Sequence, residues 1–204
     1  MTANLERVRA VTANFFFWQG LRWVPLGIAL ILLSFGPLTK RAIGDPWASI
    51  ISLTTLFIAL WLSTTVLGGY YARAYGRVQL MPGQHARRDT IKWLVVYPVM
   101  FVAMILDWRI NAPVLLSGAA FGAGIEAYRR STGGGRQHYI VAATLFALLT
   151  FIPTLGLATS RELLVPLFGV LGVVYVVGGV LDHRELVRVL GPARMATEDN
   201  GSAI

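Results

Sequence analysis

From Pro46 to Ala72 the chain carries no charged residue, and the centre of that run reads WASIISLTTLFIALWLSTTVLGGYY. A helix crossing a hydrocarbon core about 30 Å thick needs about 20 apolar residues, so the run is long enough with margin. Directly after it comes ARAYGRVQLMPGQHARRDTIK, where Arg73, Arg77, Arg87, Arg88 and Lys92 stand against a lone Asp89. Short connections dense in Lys and Arg stay on the cytoplasmic side. One span and one loop thus set the solvent of the chain and the orientation of the rest.

Composition agrees with a lipid solvent. Charged residues make up 14% of the chain and hydrophobic ones 55%, whereas soluble domains carry roughly 25% charged residues. The net charge of +8 raises the question of nucleic acid. The positive residues sit between apolar runs, however, so anionic lipid headgroups are the expected counterpart and nucleic acid is not. The absence of cysteine removes disulfides, thiolate metal sites and cysteine nucleophiles. Positive charge comes almost wholly from arginine, which fits a GC-rich bacterial genome and a plasma (inner) membrane location.

Taken in order, residues 4–16 place Leu5, Val8 and Phe15 at helical spacing with Glu6, Arg7 and Arg9 elsewhere, a short amphipathic helix for the inner interface. The run Trp23 to Thr39 lacks a small-x-small cleavage site and reads as an uncleaved first span, roughly 21–37. The second span is the run from Pro46. The third and fourth are short: Trp93 to Leu106 is uncharged before Asp107, and Ile110 to Ile125 before Glu126. They read as two short spans joined at an outer turn, DWRINAP, with a re-entrant hairpin as the alternative. The fifth covers about 139–157 with Pro153 inside it, and the sixth 163–181. The resulting fold is a bundle of six transmembrane helices with both termini cytoplasmic. Residues 1–20 hold the amphipathic helix, 21–181 the spans, and 182–204 a juxtamembrane helix and a disordered tail. Lys and Arg divide 13 to 4 between the assigned inner and outer segments, which supports that orientation.

Charged residues at span depth are the strongest functional pointers a membrane sequence offers. Arg22, Glu126 and Asp182 fall near the inner ends of spans one, four and six, and Asp107 near the outer end of span three. Pairing of Arg22 with Glu126 or Asp182 would make an inner polar cluster; solvated, snorkelling side chains are the plainer reading. Arg73, Arg77, Arg87, Arg88, Lys92, Arg129 and Arg130 are expected at lipid headgroups. Gly118 and Gly122 form a small-xxx-small face suited to close packing within the chain or to a homo-oligomer. Gly133 to Gly135 lack the Lys-Ser or Lys-Thr of a phosphate loop. His85, His138 and His183 lack metal-ligand spacing, so no metal or cofactor is expected. No paired-aspartate or serine–histidine constellation argues for an intramembrane enzyme.

The order of amphipathic helix, six spans and a basic connection after the second resembles that of ABC-2-type exporter permeases. The outer connection between spans five and six is too short for the re-entrant helices expected in that family. The resemblance lies in span order and implies a transport-subunit role. The function expected is therefore that of a non-catalytic subunit in a transport or membrane-signalling assembly. The alternatives are a small carrier or channel with an intramembrane polar path and, behind it, a lipid-modifying enzyme.

Overall fold

The computed structural model describes residues 19–37, 45–75, 84–110, 112–131 and 137–190, the side chains of 84–93 and 131 excepted. Every regular element among them is helical. A 3-10 turn, Gly20–Trp23, leads into α1, Val24–Ser34, with Pro25 in its first turn, where the missing N–H would be an orphan anyway. Helix α2 is composite: an α-helix at Asp45–Trp61, a π-helical turn at Leu62–Leu67 and α-helix again at Gly68–Ala74. Then come α3, Gln84–Ile110, α4, Leu116–Ser131, α5, Gln137–Leu149, and α6, Ser160–Leu190. The amphipathic segment 4–16, the glycine triplet 133–135 and the tail beyond 190 lie outside the described residues.

Among the described residues, three helices are long and apolar enough to cross a membrane: Asp45–Ala74, Gln137–Leu155 (α5 with its 3-10 extension) and Ser160–Leu190. The segment Gly20–Ser34 is apolar but shorter. Their outward faces carry Leu53, Phe57, Val141, Leu148 and Val173, all exposed. On a water-soluble protein such a surface would aggregate; it is compatible with a lipid solvent.

Two boundaries differ from the sequence reading. Helix α3 starts at Gln84, well inside the basic connection that follows α2. Its first residues, QHARRDTIK, are mostly fair helix formers, and helices continue into water as readily as they begin in lipid. At the other end of the chain, Pro153 does not sit within α5. The α-helix stops at Leu149, Pro153 opens a 3-10 turn to Leu155, and Gly156 follows at φ +70°. A proline lacking an N–H and a glycine in the left-handed region together end the helix. Helix α6 then begins with a reciprocal cap. Glu162 N–H donates to Thr159 Oγ1 at 3.3 Å while Thr159 N–H donates to Glu162 Oε2 at 2.8 Å.

The principal packing seam runs between α1 and α6, which lie antiparallel. A Cβ on Gly27 would fall 2.7 Å from the Gly172 carbonyl oxygen, and one on Gly172 would fall 2.5 Å from that of Gly27. One helical heptad away, Gly20 and Gly179 meet in the same way. Only glycine permits this backbone-to-backbone approach, the route by which helices associate in lipid. Helix α2 packs on α1, α3 on α4 and α6, and α4 on α5. Gly118 and Gly122 face α5, where added Cβ atoms would meet the carbonyl oxygens of Phe146 and Ala143, each at 3.2 Å. That small-residue face is used inside the chain. The apolar core joins Leu30, Leu115, Phe121, Ile125, Phe146, Leu167 and Leu171.

Candidate functional site

A cluster of buried polar groups lies where α6 leaves its apolar stretch. Asp182 is 1% exposed. The Tyr139 hydroxyl, from the first turn of α5, donates to its Oδ2 at 2.8 Å, and His138 Nε2 lies 3.4 Å from Oδ1. Tyr128 of α4 closes edge-on over Tyr139 with ring centroids 5.1 Å apart. Glycine makes the room. A Cβ on Gly20 would come within 2.8 Å of Asp182 Cβ, and one on Gly178 within 3.4 Å of the Tyr139 hydroxyl.

One residue on, His183 joins α6 to α2. Its Nδ1 shares a 2.9 Å hydrogen bond with the hydroxyl of Tyr71, a fully buried residue. That hydroxyl also accepts the N–H of Leu21 at 3.2 Å, one of the donors left over at the start of a helix. Leu186 packs against Tyr71, with Tyr70, Tyr75 and Val189 around them. Four segments (the 3-10 turn, the end of α2, the start of α5 and the late part of α6) therefore meet through one phenol–imidazole pair and one phenol–carboxylate pair.

The other residues singled out from sequence have their own settings. Arg22 donates through Nε to the Ser63 carbonyl at 3.3 Å and through Nη1 to Gln19 Oε1 at 3.0 Å. Glu126 is bound by its own helix: Arg129 Nε at 2.6 Å and Arg130 Nε at 2.7 Å, three and four residues on. These guanidiniums, Arg129 foremost, hold its carboxyl down at about 2. Of the two pairings offered for Arg22, with Glu126 or with Asp182, Glu126 is instead engaged by Arg129 and Arg130. Arg73 is exposed and turns its Nε back to the Gly69 carbonyl at 3.3 Å. Arg77 lies outside the described residues, and Arg87, Arg88 and Lys92 are described in backbone only.

Asp107 belongs to the opposite end. It is fully buried, and its two oxygens accept the first N–H groups of α4, Leu116 at 2.9 Å and Ser117 at 2.7 Å. A carboxylate there also meets the positive end of the helix dipole. Leu115 N–H donates to the Thr150 carbonyl at 2.9 Å, and Ser160 Oγ to the Asp107 carbonyl at 3.4 Å. Asp107 therefore staples the α3–α4 turn and the start of α6. Beside it, the Arg161 guanidinium sits 4.1 Å over the Trp108 ring.

Between Ser160 and Asp182, α6 spans about 33 Å at 1.5 Å per residue, close to the thickness of a hydrocarbon core. Leu167 and Leu171, with Phe121 and Phe146 opposite, fill that interval. Among the described residues no three His, Cys, Asp or Glu side chains converge on a metal position. No family model, curated protein or solved structure matches the chain.

Sequence reasoning missed the two tyrosine pairs and the glycine seam. Tyr70-Tyr71, His138-Tyr139 and Asp182-His183 all stand at span ends, which was the available signal. Tyrosine at such depth reads equally well as an interfacial anchor.

Proposed function

We propose that this chain is a non-catalytic subunit of a transport or membrane-signalling assembly in a bacterial plasma membrane, with six spans and both termini in the cytoplasm. The observation that carries this reading is the bareness of α2. Only 6% of its most apolar stretch is buried within the protein, against 33% for α6. Lipid alone would cover an apolar face. Helix α2 also exposes Thr54, Thr64 and Thr65 among its large side chains, and small hydroxyl residues are what helices use to pack on one another in lipid. The junction at Tyr71 and His183 ties the end of this bare helix to the α1–α6 pair, so a partner on α2 would act on the rest of the bundle.

A carrier would need a polar route linking Asp107 to the Glu126 and Asp182 region. The close-packed Leu115, Phe121, Phe146, Leu167 and Leu171 in that interval weigh against it. The assembly reading is tested with a photo-crosslinking amino acid placed in cells at Thr54, Phe57 or Thr64, and at Val141 or Leu148 of α5 for comparison. A discrete protein adduct from the α2 positions and lipid adducts alone from α5 is the expected result. Lipid adducts alone from every position would overturn it.

A further inference from the structure

At the π-helical turn in α2, three carbonyls accept side-chain donors. In an α-helix each C=O receives the N–H four residues on; in a π turn that pairing moves to five, and the turn holds an extra residue. Thr64 Oγ1 donates to the Leu60 carbonyl at 2.8 Å, and Thr65 Oγ1 donates to that of Trp61. The Ser63 carbonyl receives Arg22 Nε, from outside the helix. Two of these donors travel with α2, while the third belongs to the 3-10 turn before α1. Past the π turn come Gly68-Gly69 and then Tyr70-Tyr71.

We propose that α2 is a two-register helix in which Arg22 latches the π turn, and that release converts it to continuous α-helix, letting Tyr70 take the place of Tyr71. Absorbing one extra residue rotates everything beyond the turn by one residue's worth, about 100°. The residue preceding each inward-facing position then turns inward. At the junction this exchanges Tyr71 for Tyr70, an identical phenol, so the Leu21 N–H and His183 Nδ1 retain a partner in both registers. The Ser63 carbonyl also keeps one, because Leu67 N–H replaces the guanidinium. The path is open as well. A Cβ on Gly68 would find nothing closer than Arg22 Nη2 at 3.8 Å, and one on Gly69 nothing closer than Arg73 Nη2 at 4.0 Å. The two residues that sweep past Arg22 thus carry no side chain to obstruct the turn. Burial separates the two states by one position: Tyr75, which packs on the Tyr71–Leu186 cluster, gives way to Ala74. The inference stands whether or not α2 carries a partner.

Because the chain has no cysteine, disulfide trapping reads the register directly in the full-length protein in membranes. Val189→Cys is combined with Tyr75→Cys for the latched register, with Ala74→Cys for the slipped one, and with the exposed Arg73→Cys as background. The first pair is expected to cross-link fastest, and the second measurably above the third. Arg22→Gln should raise the Ala74 cross-link about tenfold, the effect of losing one hydrogen bond from a charged donor. Deleting Thr64 removes the extra residue, so it should abolish the Ala74 cross-link and leave the Tyr75 one intact. An Ala74 rate equal to the Arg73 background in the parent chain would overturn the proposal, as would an Ala74 rate unaffected by the deletion. The parent comparison decides even if Arg22→Gln does not accumulate.

Discussion

Replacing Gly172 by alanine tests whether the α1–α6 seam holds the bundle together. The new methyl would lie 2.5 Å from the Gly27 carbonyl oxygen and 2.8 Å from Ile31 Cγ1. Ordinary contact begins near 3.4 Å, so the helices must part by about 0.9 Å at that point. A radial gap of 0.5–1 Å forfeits about a quarter to a half of each dispersion well along the seam. In lipid no hydrophobic gain offsets this, since the tails are as apolar as the side chains they replace. Overpacking of this kind costs about 1–3 kcal/mol. Part of it is returned by the better helix propensity of alanine, about 1 kcal/mol. A net loss of up to about 2 kcal/mol corresponds to a fall of up to roughly 8 °C in unfolding temperature for a chain of this size; Gly36→Ala gains the same propensity without the clash, so the difference between the two variants is the larger quantity. The assay is thermal unfolding in mild detergent, with Gly36→Ala as control because nothing lies within 4 Å of that site. Gly27→Ala presses on the same contact, so the double variant should lose less than the sum of the singles. A Gly172→Ala protein as stable as Gly36→Ala, or strict additivity with Gly27→Ala, would refute the seam.

Asp107→Ala should lower stability by about 1–3 kcal/mol, because it strands the Leu116 and Ser117 N–H groups away from water; Asp107→Asn, which keeps one acceptor oxygen, should lose less in the same detergent melt. For Glu126 the carboxyl sits at about 2 in place of its usual 4.5, so its contribution is complete above about pH 4.5 and fades as pH falls towards 2. An acid-stability series should show that loss in the parent and not in Glu126→Gln. The proposed topology is read by impermeant thiol labelling of intact cells. Cysteines at Gln84 and Gly134 should be protected, and those at Ala42 and Asn111 should react. Labelling of Gln84 would overturn the orientation, and protection of Asn111 alone would make α3–α4 a re-entrant hairpin.

The three most apolar helices were legible because an uncharged run of sufficient length has one cheap environment. Their ends were less so. Charge marks where a segment meets water but not where the helix stops, which is why α3 begins inside the basic connection. Side-chain partners were legible only when close in sequence. Glu126-x-x-Arg129-Arg130 carries its ion pairs at helical spacing, and that local reach outcompetes a distant Arg22. The seam shows the converse case. Gly20 with Gly27, and Gly172 with Gly179, repeat at heptad spacing in the chain. A repeat on one helix names no neighbour, so their meeting becomes visible only once α1 and α6 are known to be adjacent.

The two buried aspartates follow one physical rule despite their different partners. A carboxylate at mid-membrane would need a cation or a water-filled cavity, whereas beside the start of a neighbouring helix it meets donors which that helix does not itself satisfy. Asp107 accepts N–H groups that α4 cannot satisfy internally. At the other end, Asp182 accepts the hydroxyl of the buried Tyr139. Each polar group thus removes the desolvation cost of another, and the bundle keeps about 33 Å of α6 between them for apolar packing. Exchange of Tyr139 for phenylalanine would break this balance on the carboxylate side, exchange of Asp182 for asparagine only on the charge side. The phenylalanine variant should therefore be the less stable of the two in detergent melts, and the reverse order would show that the charge of Asp182, rather than its hydrogen bond, is what the junction needs.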